Sequence, residues 1–379
     1  MTAALPSRDA RRAEALESFR VRGMPHRRFE HWKYSDLRAI LDAGQVAQSG
    51  TAAWHIEKLP GGVELFDLGK SDAPDWVMRN LGAIGAKPTM KEASLAFADG
   101  GVALRVPHGR KIAEPVRLQI SSTGNVRVLL VLEAEASLTL METHTGDAGL
   151  LRNVGVEIAL AAQARLSHVR FAASAPKSIT IEHIGVAEAR GAQYRAHFAN
   201  FGSRLSRTEL HILLQEEEAE AHLSGVNVLG DEGHADLTSH IEHVDGNTRS
   251  TQLFKKVAGG HSRAVYQGKI TVREGANGSD SRQTAKALLL GGRAEADLKP
   301  ELIIFADDVK CAHGAAVGDL DPESLFYLRS RGVPEAEARH ILIRAFLEDA
   351  VAEIENEELR ASVWHAVEHA LPHAMRAAR

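Results

Sequence analysis

The sequence predicts a mainly β protein in which an elongated β-helix forms the centre and helical regions lie on either side. Three observations predict this fold. Residues 100–315 alternate polar and apolar side chains, similar short runs recur about every 20 to 30 residues, and both flanks have helical spacing. Alternation with a period of two is typical of strands, and repeats too small to bury their own apolar face stack into a solenoid.

The alternating runs are clearest at four places in the central region. They read ASLTLM at 136–141, ARLSHVRF at 164–171, AHLSGVNVL at 221–229 and AVYQGKITV at 264–272. A compact sandwich would need hairpin turns of the Asn-Gly type at tighter intervals, and few of the turn-like dipeptides have that form. We therefore divide the chain into an N-terminal, mainly helical region (1–98), a β-helix core (99–317) and a C-terminal helical region (318–379).

Helical spacing predicts the elements of both flanks. In the N-terminal region, residues 8–21 place Leu16 and Phe19 on one stripe, and residues 27–41 repeat such a stripe after a Gly/Pro interruption. In the C-terminal region, Asp321 is a favourable N-cap because a proline follows it at the first helical position. A second, longer helix is predicted from residue 334 onward, with apolar residues on one face.

Composition excludes several classes of function. The 379 residues carry a formal charge of −5, and no cluster of Lys and Arg indicates nucleic-acid binding. No apolar run is long enough to span a membrane, no secretory signal is visible, and one cysteine forms no internal disulfide, so a cytoplasmic protein is expected. No phosphate-binding G-x-x-x-x-G-K-[ST] loop occurs, so the chain itself should not hydrolyse nucleotide.

The single cysteine, Cys311, lies two residues before His313. On a strand this spacing points both side chains to the same face, as a shared metal or cluster site requires, and thiolate and imidazole both bind iron. From spacing alone, however, a Cys that packs as a small apolar residue and a His bonded to backbone explain the pair better. One thiol cannot hold a four-thiolate cluster, so any cluster here must be shared with another chain.

The stretch at 299–346 closely resembles the C-terminal signature of the SufB/SufD family of iron–sulfur cluster assembly proteins. It reads KPELIIFADDVKCAHGAAVGDLDPESLFYLRSRGVPEAEARHILIRAF. The resemblance continues upstream through YQGKI at 266–270, QTAKALLL at 283–290 and the stretch at 243–256, with PHRR and EHWKY near the N-terminus. The chain is short and has one cysteine, which favours the SufD branch of the family over the longer, cysteine-richer SufB branch.

The resemblance implies a right-handed parallel β-helix with helical flanks. It implies pairing with a SufB-like subunit through the ends of the two β-helices, and a transient iron–sulfur cluster at that interface. Cys311 and His313 match the family's Lys-Cys-x-His-Gly motif at the interface. We expect His313 to be a ligand, whereas for Cys311 both a ligand and a packing role remain open.

The resemblance also implies a second partner, a SufC-like ATPase that binds the C-terminal helical region. The residues predicted to form this docking region are Leu325, Phe326, Leu328, Ile341, Leu342 and Phe346. The chain is therefore expected to be a non-catalytic scaffold, and both a monomer and a homodimer remain open for the isolated chain. The family's complexes have been associated with a flavin, which is a further candidate cofactor, although no motif of this sequence indicates one.

Three other clusters have plainer interpretations. His240 and His243 are three residues apart, so a strand would turn them to opposite faces. The residues His365, His369 and His373 have a chelating spacing on a helix, but Pro372 should disrupt its last turn, which leaves adventitious binding. The acidic run at 216–218 is best explained as a solvated turn rather than half of a glycosidase carboxylate pair.

Two alternative functions fit the same solenoid pattern. A β-helix carbohydrate-active enzyme of the polysaccharide lyase type would share it, but only 5% of residues are aromatic, and sugar-binding grooves usually use stacking rings. A self-associating structural solenoid is the other alternative. It would remain a homodimer when other partners are supplied.

Overall fold

The alternating runs form strands that stack into a two-sheet solenoid. The computed structural model describes residues 7–47, 50, 52–121, 123–145, 151–172 and 175–376. In chain order its strands are β1 (Trp54–Ile56), β2 (Glu64–Asp67), β3 (Gly101–Val106), β4 (Val116–Ile120), β5 (Gly124–Leu132), β6 (Ser137–His144), β7 (Leu151–Leu160), β8 (Arg165–Ala172), β9 (Ile179–Glu188), β10 (Gln193–Asn200), β11 (Leu205–Leu214), β12 (Glu220–Leu229), β13 (His234–His243), β14 (Arg249–Ala258), β15 (Arg263–Val272), β16 (Asp280–Leu289), β17 (Glu295–Ile304) and β18 (Lys310–Gly318). The prediction of a mainly β solenoid with helical flanks is confirmed.

The strands form two nine-stranded sheets, and each coil of the chain adds one strand to each sheet. The first sheet has the order β1-β4-β6-β8-β10-β12-β14-β16-β18, and the second has the order β17-β15-β13-β11-β9-β7-β5-β3-β2. Pairing is parallel along the solenoid: Arg165 pairs with Gln193, 28 positions later, and Gln193 pairs with Glu220, 27 positions later. Among the strands of the described residues only β1 and β2 pair antiparallel, with β4 and β3, and these two short strands form the N-terminal end of the solenoid.

The core lies inside the solenoid, between the two sheets. Alternate residues of each strand point inward; on β5 these are Val126, Val128, Leu130 and Leu132, all fully or almost fully buried. The same alternation continues through both sheets, so one apolar column packs on the next along the length of the solenoid. The period-two pattern of the sequence therefore identifies which residues of each strand face the interior.

Helices cover the outer faces of both sheets. The N-terminal region contributes α1 (Arg8–Arg22), α2 (Ala43–Ala47), α3 (Asp75–Asn80) and α4 (Thr89–Phe97), which pack with the second sheet. The C-terminal region contributes α5 (Pro322–Ser330), α6 (Glu335–Ala352) and α7 (Glu357–Arg376); α6 and α7 pack on the first sheet. Among the described residues no helix combines the length and apolar character that a membrane span requires.

The helix predicted over residues 27–41 is wrong. The structure has two short 3₁₀ turns there, Glu30–Trp32 and Leu37–Ala39. Contacts with the solenoid override the helical pattern: Trp32 is buried with the Arg207 guanidinium 4.1 Å from its ring, and the Ser35 hydroxyl donates to Asp236. Tertiary contacts of this kind routinely outweigh a weak local preference for helix.

A buried ion network joins α4 to the second sheet. The carboxylate of Glu157 on β7 lies 3.2 Å from the Lys91 amine of α4, pairs with the Arg127 guanidinium, and accepts the Gly82 and Ile84 N–H groups at 2.7 and 3.0 Å. Burial alone would raise the pKa of Glu157, but the two cations outweigh it and lower the pKa. One carboxylate therefore satisfies two buried cations, which makes it indispensable to the contact.

Replacing this carboxylate should destabilise the fold strongly. Glu157→Gln leaves two buried cations without a counter-charge, so we expect a loss of about 3–5 kcal/mol in the free energy of unfolding, measured by urea denaturation. The matched control is Glu14→Gln, which breaks the exposed pair with Lys87 and should cost less than about 1 kcal/mol. Equal losses in the two variants would show that the buried network does not hold the helix on the sheet.

Candidate functional site

The two ends of the solenoid differ. At the C-terminal end, β17 pairs only with β15 and β18 only with β16 among the residues that the structure describes, so no described strand covers the outer edge of either. Their side chains are exposed or half-buried along their whole length, whereas the preceding strands are largely buried. The chain leaves this last coil for α5, which has no buried residue, and β18 itself is exposed or half-buried throughout. This end therefore presents two parallel strand edges and the open interior between them.

The predicted pair, Cys311 and His313, lies on β18 at this open end. Cys311 is in register with Ser281 and His313 with Gln283, and both of these partners are buried inside the solenoid. Both predicted residues therefore belong to the inward-facing row of the last coil. Because no further coil covers that row, their side chains line the mouth of the interior.

Cys311 and His313 have different surroundings in this row. The Cys311 side chain is half-buried and packs against the apolar cluster formed by Ile270, Val272 and Ala276. Partial burial, followed by the carboxylate of Asp280, raises the pKa of its thiol, so the free thiol is protonated at neutral pH. A metal would have to displace that proton before the sulfur became a ligand.

His313 is exposed at the mouth. Within the described part of the chain its ring makes no side-chain hydrogen bond, so both ring nitrogens are available. A neutral imidazole with a free lone pair is an iron ligand, and a thiol two residues away on the same face supplies a second donor. The donor set fits part of an iron–sulfur site. It is too small for a complete one.

Exposed apolar side chains surround this mouth. Four of the large apolar residues with the greatest exposure lie on the last coil or just after it; they are Ile303, Ile304, Phe305 and Val317, at 37%, 42%, 64% and 47% exposure. Single exposed apolar residues are normal on the surface of a monomer, but a group of them at one place indicates an interaction surface. Cys311 and His313 thus lie within a surface suited to another protein.

The structure separates the six residues predicted for ATPase docking into two groups. Phe326 is 73% exposed and Ile341 is 40% exposed, and α5 has no buried residue at all. In contrast, Leu342 and Phe346 pack partly against the outer face of the first sheet, where the Lys255 amine lies 4.6 Å from the Phe346 ring. The remaining two, Leu325 and Leu328, are half-buried. Part of the set therefore faces outward, and part attaches the helices to the solenoid.

His240 and His243 point to opposite faces of β13. His243 lies inside the solenoid, bonded to Thr248 and Ser250 at 2.8 and 2.9 Å, while His240 lies on the outer face. The outer histidine instead approaches His211 on the next strand, with 5.1 Å between ring centroids. The sequence alone does not predict that His211 and His240 are neighbours, because their contact depends on the register between coils.

The outer-face cluster of His211, His240 and Glu242 has the spacing of a metal site. Hydrogen bonds within the protein, however, already determine which ring nitrogen of His211 carries the proton. The Ala86 N–H donates to His211 Nδ1 at 2.7 Å, so the proton of that ring is on Nε2, which donates to Glu242 Oε1 at 2.6 Å. Metal-ligating histidines normally donate their second nitrogen rather than accept through it. The second oxygen of Glu242 accepts from Arg273 at 2.5 Å, so the cluster fits a structural hydrogen-bond network.

A second such cluster lies inside the solenoid. Glu142 accepts from His144 at 2.5 Å and from His168 at 3.2 Å, and Glu182 pairs with the Arg170 guanidinium at 2.8 Å. Burial alone would raise the pKa of Glu142, but the hydrogen bonds from the two histidines outweigh it and lower the pKa. Each carboxylate is therefore partnered within the protein, and the cluster joins three neighbouring strands.

The prediction that Pro372 disrupts the last helix is wrong, since α7 runs unbroken to Arg376. Leu371 and Ala374, on either side of the proline, are fully buried against the solenoid, and this packing offsets the lost backbone hydrogen bond. The three C-terminal histidines consequently share one exposed face, with 4.8 Å between the His365 and His369 ring centroids.

The acidic run at 216–218 forms the turn between β11 and β12, as predicted. Glu216 accepts the Arg190 N–H at 2.8 Å, and the Glu217 carboxylate pairs with the Arg190 side chain at 2.7 Å. These carboxylates thus join two successive turns. Both contacts are exposed to solvent.

Fold and site together define a β-solenoid protein whose C-terminal end exposes an imidazole and a thiol on one face. The family model of the SUF system FeS cluster assembly SufBD core domain matches residues 118–346, and the chain belongs to this family. Membership gives it a role in iron–sulfur cluster assembly.

Individual relatives agree with this assignment. The chain is 28% identical over 381 residues to the iron–sulfur cluster assembly protein SufD of Escherichia coli, covering 92% of this chain and 90% of that protein. It is 27% identical to an iron–sulfur cluster assembly SufBD family protein of Synechocystis, covering 90% and 86% respectively. It is 30% identical to the chloroplastic protein ABCI7 of Arabidopsis thaliana over 67% of this chain and 57% of that protein.

The buried histidines predict a steep loss of stability in acid. Burial lowers the pKa of His243 to about 4, so the unfolded chain takes up a proton near pH 6.5 whereas the folded chain does not until near pH 4. This contribution is complete above pH 6.5 and is lost as the pH falls toward 4, at up to about 1.4 kcal/mol per pH unit for one histidine.

The expected result is that His243→Asn reduces the slope of unfolding free energy against pH between 6.5 and 4, measured by urea denaturation at a series of pH values. The comparison concerns slope rather than absolute stability, so a general destabilisation does not obscure it. His261→Asn, at an exposed turn position, is the control and should leave the slope unchanged. An unchanged slope in the His243 variant would contradict the assignment of a neutral buried ring.

Proposed function

We propose that this chain is the SufD-type scaffold subunit of a SUF complex, and that its open end joins a SufB-like subunit to build a nascent iron–sulfur cluster between the two chains. The observation that carries the proposal is the last coil itself. It combines two free strand edges, exposed apolar residues and an incomplete set of iron ligands at one place. We place this assembly in the cytoplasm, which suits a chain with one thiol.

The free edges of β17 and β18 support end-to-end pairing. Each edge presents unpaired backbone N–H and C=O groups, which another strand can satisfy by extending the sheet. A related solenoid has edges with the same spacing, so it can continue both sheets at once. Phe305 and Val317 would lose their exposed apolar surface in such a joint, which adds a hydrophobic contribution. A second copy of this chain offers the same edges and is the expected partner when no SufB-like subunit is present.

His313 and Cys311 provide this chain's share of the cluster site. The exposed imidazole is the principal ligand in the proposal, and the half-buried thiol becomes a ligand only if iron displaces its proton. The remaining thiolates must come from the partner chain, because this chain has no second cysteine. The cluster is cargo in this scheme. It is assembled at the joint and then passed on.

The C-terminal helices provide a second docking surface, for a SufC-like ATPase. The support is the outward-facing group on α5 and α6, in which Phe326, Tyr327 and Ile341 are exposed at 73%, 58% and 40%. Because α5 follows β18 directly, a force on α5 is applied next to His313. Movement of the ATPase during ATP hydrolysis would then reshape the joint between the solenoids. This chain acts by position and leaves ATP hydrolysis to its partner.

The ligand role of His313 is tested by substitution within the assembled complex. We expect His313→Ala to copurify with the SufB-like and SufC-like subunits but to lower the maturation of an apo iron–sulfur enzyme at least tenfold. His108→Ala, also exposed but in the turn after β3 near the N-terminal end of the solenoid, is the control and should retain full activity. Normal maturation by the assembled His313→Ala complex would show that the imidazole is not a ligand.

A substitution in one docking surface should abolish binding of its own partner and leave the other partner bound. A charged residue in an apolar joint costs binding energy, so Phe305→Asp should lose the SufB-like subunit and keep the ATPase, and Phe326→Asp should do the reverse. Pull-down of each partner with purified variants measures both results. Val21→Asp, at an exposed apolar residue of α1, is the control and should retain both partners. Loss of both partners in either single variant would contradict the separation of the surfaces.

A further inference from the structure

A ladder of buried polar side chains runs through the interior behind the mouth. Ser239 Oγ donates to Gln252 Oε1 at 2.6 Å, and the Tyr266 hydroxyl donates to the same oxygen at 3.1 Å. The amide nitrogen of Gln283 then donates to the Tyr266 hydroxyl oxygen at 2.7 Å. All four residues are buried, and the ladder crosses the two coils that precede the last coil.

The ladder fixes the orientation of the Gln283 amide. The Tyr266 proton is used on Gln252, so its oxygen takes a donor, and that donor is the Gln283 nitrogen. Gly268 leaves the space this amide occupies, since a Cβ there would lie 1.6 Å from the amide nitrogen and 2.3 Å from the Tyr266 hydroxyl. With the nitrogen held against Tyr266, the amide oxygen has to be satisfied from another direction.

That oxygen has no hydrogen-bond partner within the described residues. Gln283 is 1% exposed and its Oε1 atom is buried, so water does not satisfy it either. A buried acceptor without a donor costs about 1–3 kcal/mol. The described residues contain several buried polar atoms without a partner, among them Gln252 Nε2 of the same ladder, but Gln283 is the one in register with His313 on the last coil. The unsatisfied oxygen lies one coil from the open mouth.

The last coil offers one strong side-chain donor to this oxygen. Register with the preceding coil identifies its inward row as Ala296, Leu298, Pro300, Leu302 and Ile304 on β17 and Cys311, His313, Ala315 and Val317 on β18. In this row only the His313 ring carries a strong N–H donor, since a thiol donates weakly. His313 is also the residue in register with Gln283, on the adjacent strand. The acceptor and the donor are therefore neighbours across one strand pair.

We infer that Gln283 is a positioning residue for His313. The two groups are not bonded in the structure, where the His313 ring is exposed; when the ring turns inward, Gln283 Oε1 accepts one of its N–H groups, which fixes the tautomer and the orientation of the imidazole. The other ring nitrogen then presents its lone pair to the mouth, where the proposed cluster forms. A metal-ligating histidine commonly donates its second nitrogen to an oxygen in this way. The inference rests on the proposed function of His313 as a ligand, and it names what prepares that ligand for iron.

The test is nitrogen NMR of the purified full chain labelled at histidine, which reports the tautomer of each ring without any partner or cluster. His313→Ala identifies the signal. In the wild-type chain we expect one dominant tautomer for His313. Gln283→Met removes the acceptor at similar size and should shift the tautomer ratio about fivefold, since one net hydrogen bond changes an equilibrium by a factor of about 2 to 10. Gln283→Glu keeps an oxygen acceptor and should restore the wild-type tautomer.

Controls separate positioning from folding. Gln119→Met, on β4 at the far end of the same sheet, should leave the His313 signal unchanged, and the other histidine signals should be retained in every variant. The inference would be overturned if His313 showed no preferred tautomer, or if Gln283→Met left its tautomer ratio unchanged. If the tautomer responds to Gln283 while the His313→Ala complex still matures clusters normally, the ligand role fails and the positioning contact stands. If His313→Ala abolishes maturation and the tautomer ignores Gln283, only the positioning contact fails.

Discussion

Backbone pairing between successive coils is the constraint on which the rest of this structure depends. Every strand from β5 to β16 satisfies its N–H and C=O groups on the coil before it and the coil after it, so each coil is the template for the next. A β-sheet built in this way must end somewhere, and an unprotected end exposes its hydrogen-bonding groups. The chain handles its two ends differently, and the candidate site lies at the end that remains open.

The helical flanks leave this open end accessible. The N-terminal helices cover the outer face of one sheet, and α6 and α7 cover the outer face of the other. Lys91 and Glu157 anchor one of these layers, and Lys255 with Asp349 joins the other at 3.0 Å. With both broad faces covered, the mouth is the place where the interior, the strand edges and the exposed apolar residues meet. The coil next to the mouth contributes two polar interior groups, Tyr266 and Gln283, which are hydrogen-bonded to each other.

The sequence alone predicted the features that depend on residues close together in the chain. Alternation within each strand predicted the solenoid, and the spacing of Cys311 and His313 predicted that they share a face, which register with the buried Ser281 and Gln283 agrees with. It could not supply contacts that arise between coils. His211 meets His240 across strands 29 positions apart, while Gly268 meets Pro300 across 32. Because the coil length varies, no single period in the sequence identifies which residues become neighbours.

The same limit explains the two errors in the helical flanks. The pattern over residues 27–41 resembles an amphipathic helix, but the segment is held by contacts of Trp32 with Arg207 and of Ser35 with Asp236, which lie 175 and 201 positions away. Pro372 is a helix breaker by local rules, yet packing of its neighbours on the solenoid maintains α7. In both places long-range packing decided the backbone.

The two ends of the solenoid are built from unlike strands, and this has a consequence for the size of any assembly. At the C-terminal end β17 and β18 are 10 and 9 residues long and pair parallel, whereas at the N-terminal end β1 and β2 are 3 and 4 residues long and pair antiparallel. A solenoid grows into a fibre only when its two ends match each other, because each joint must leave another edge of the same kind. Two such solenoids placed mouth to mouth, as proposed, would use the long edges of both and leave only the short strands outside. The unlike ends therefore favour a pair over a longer stack.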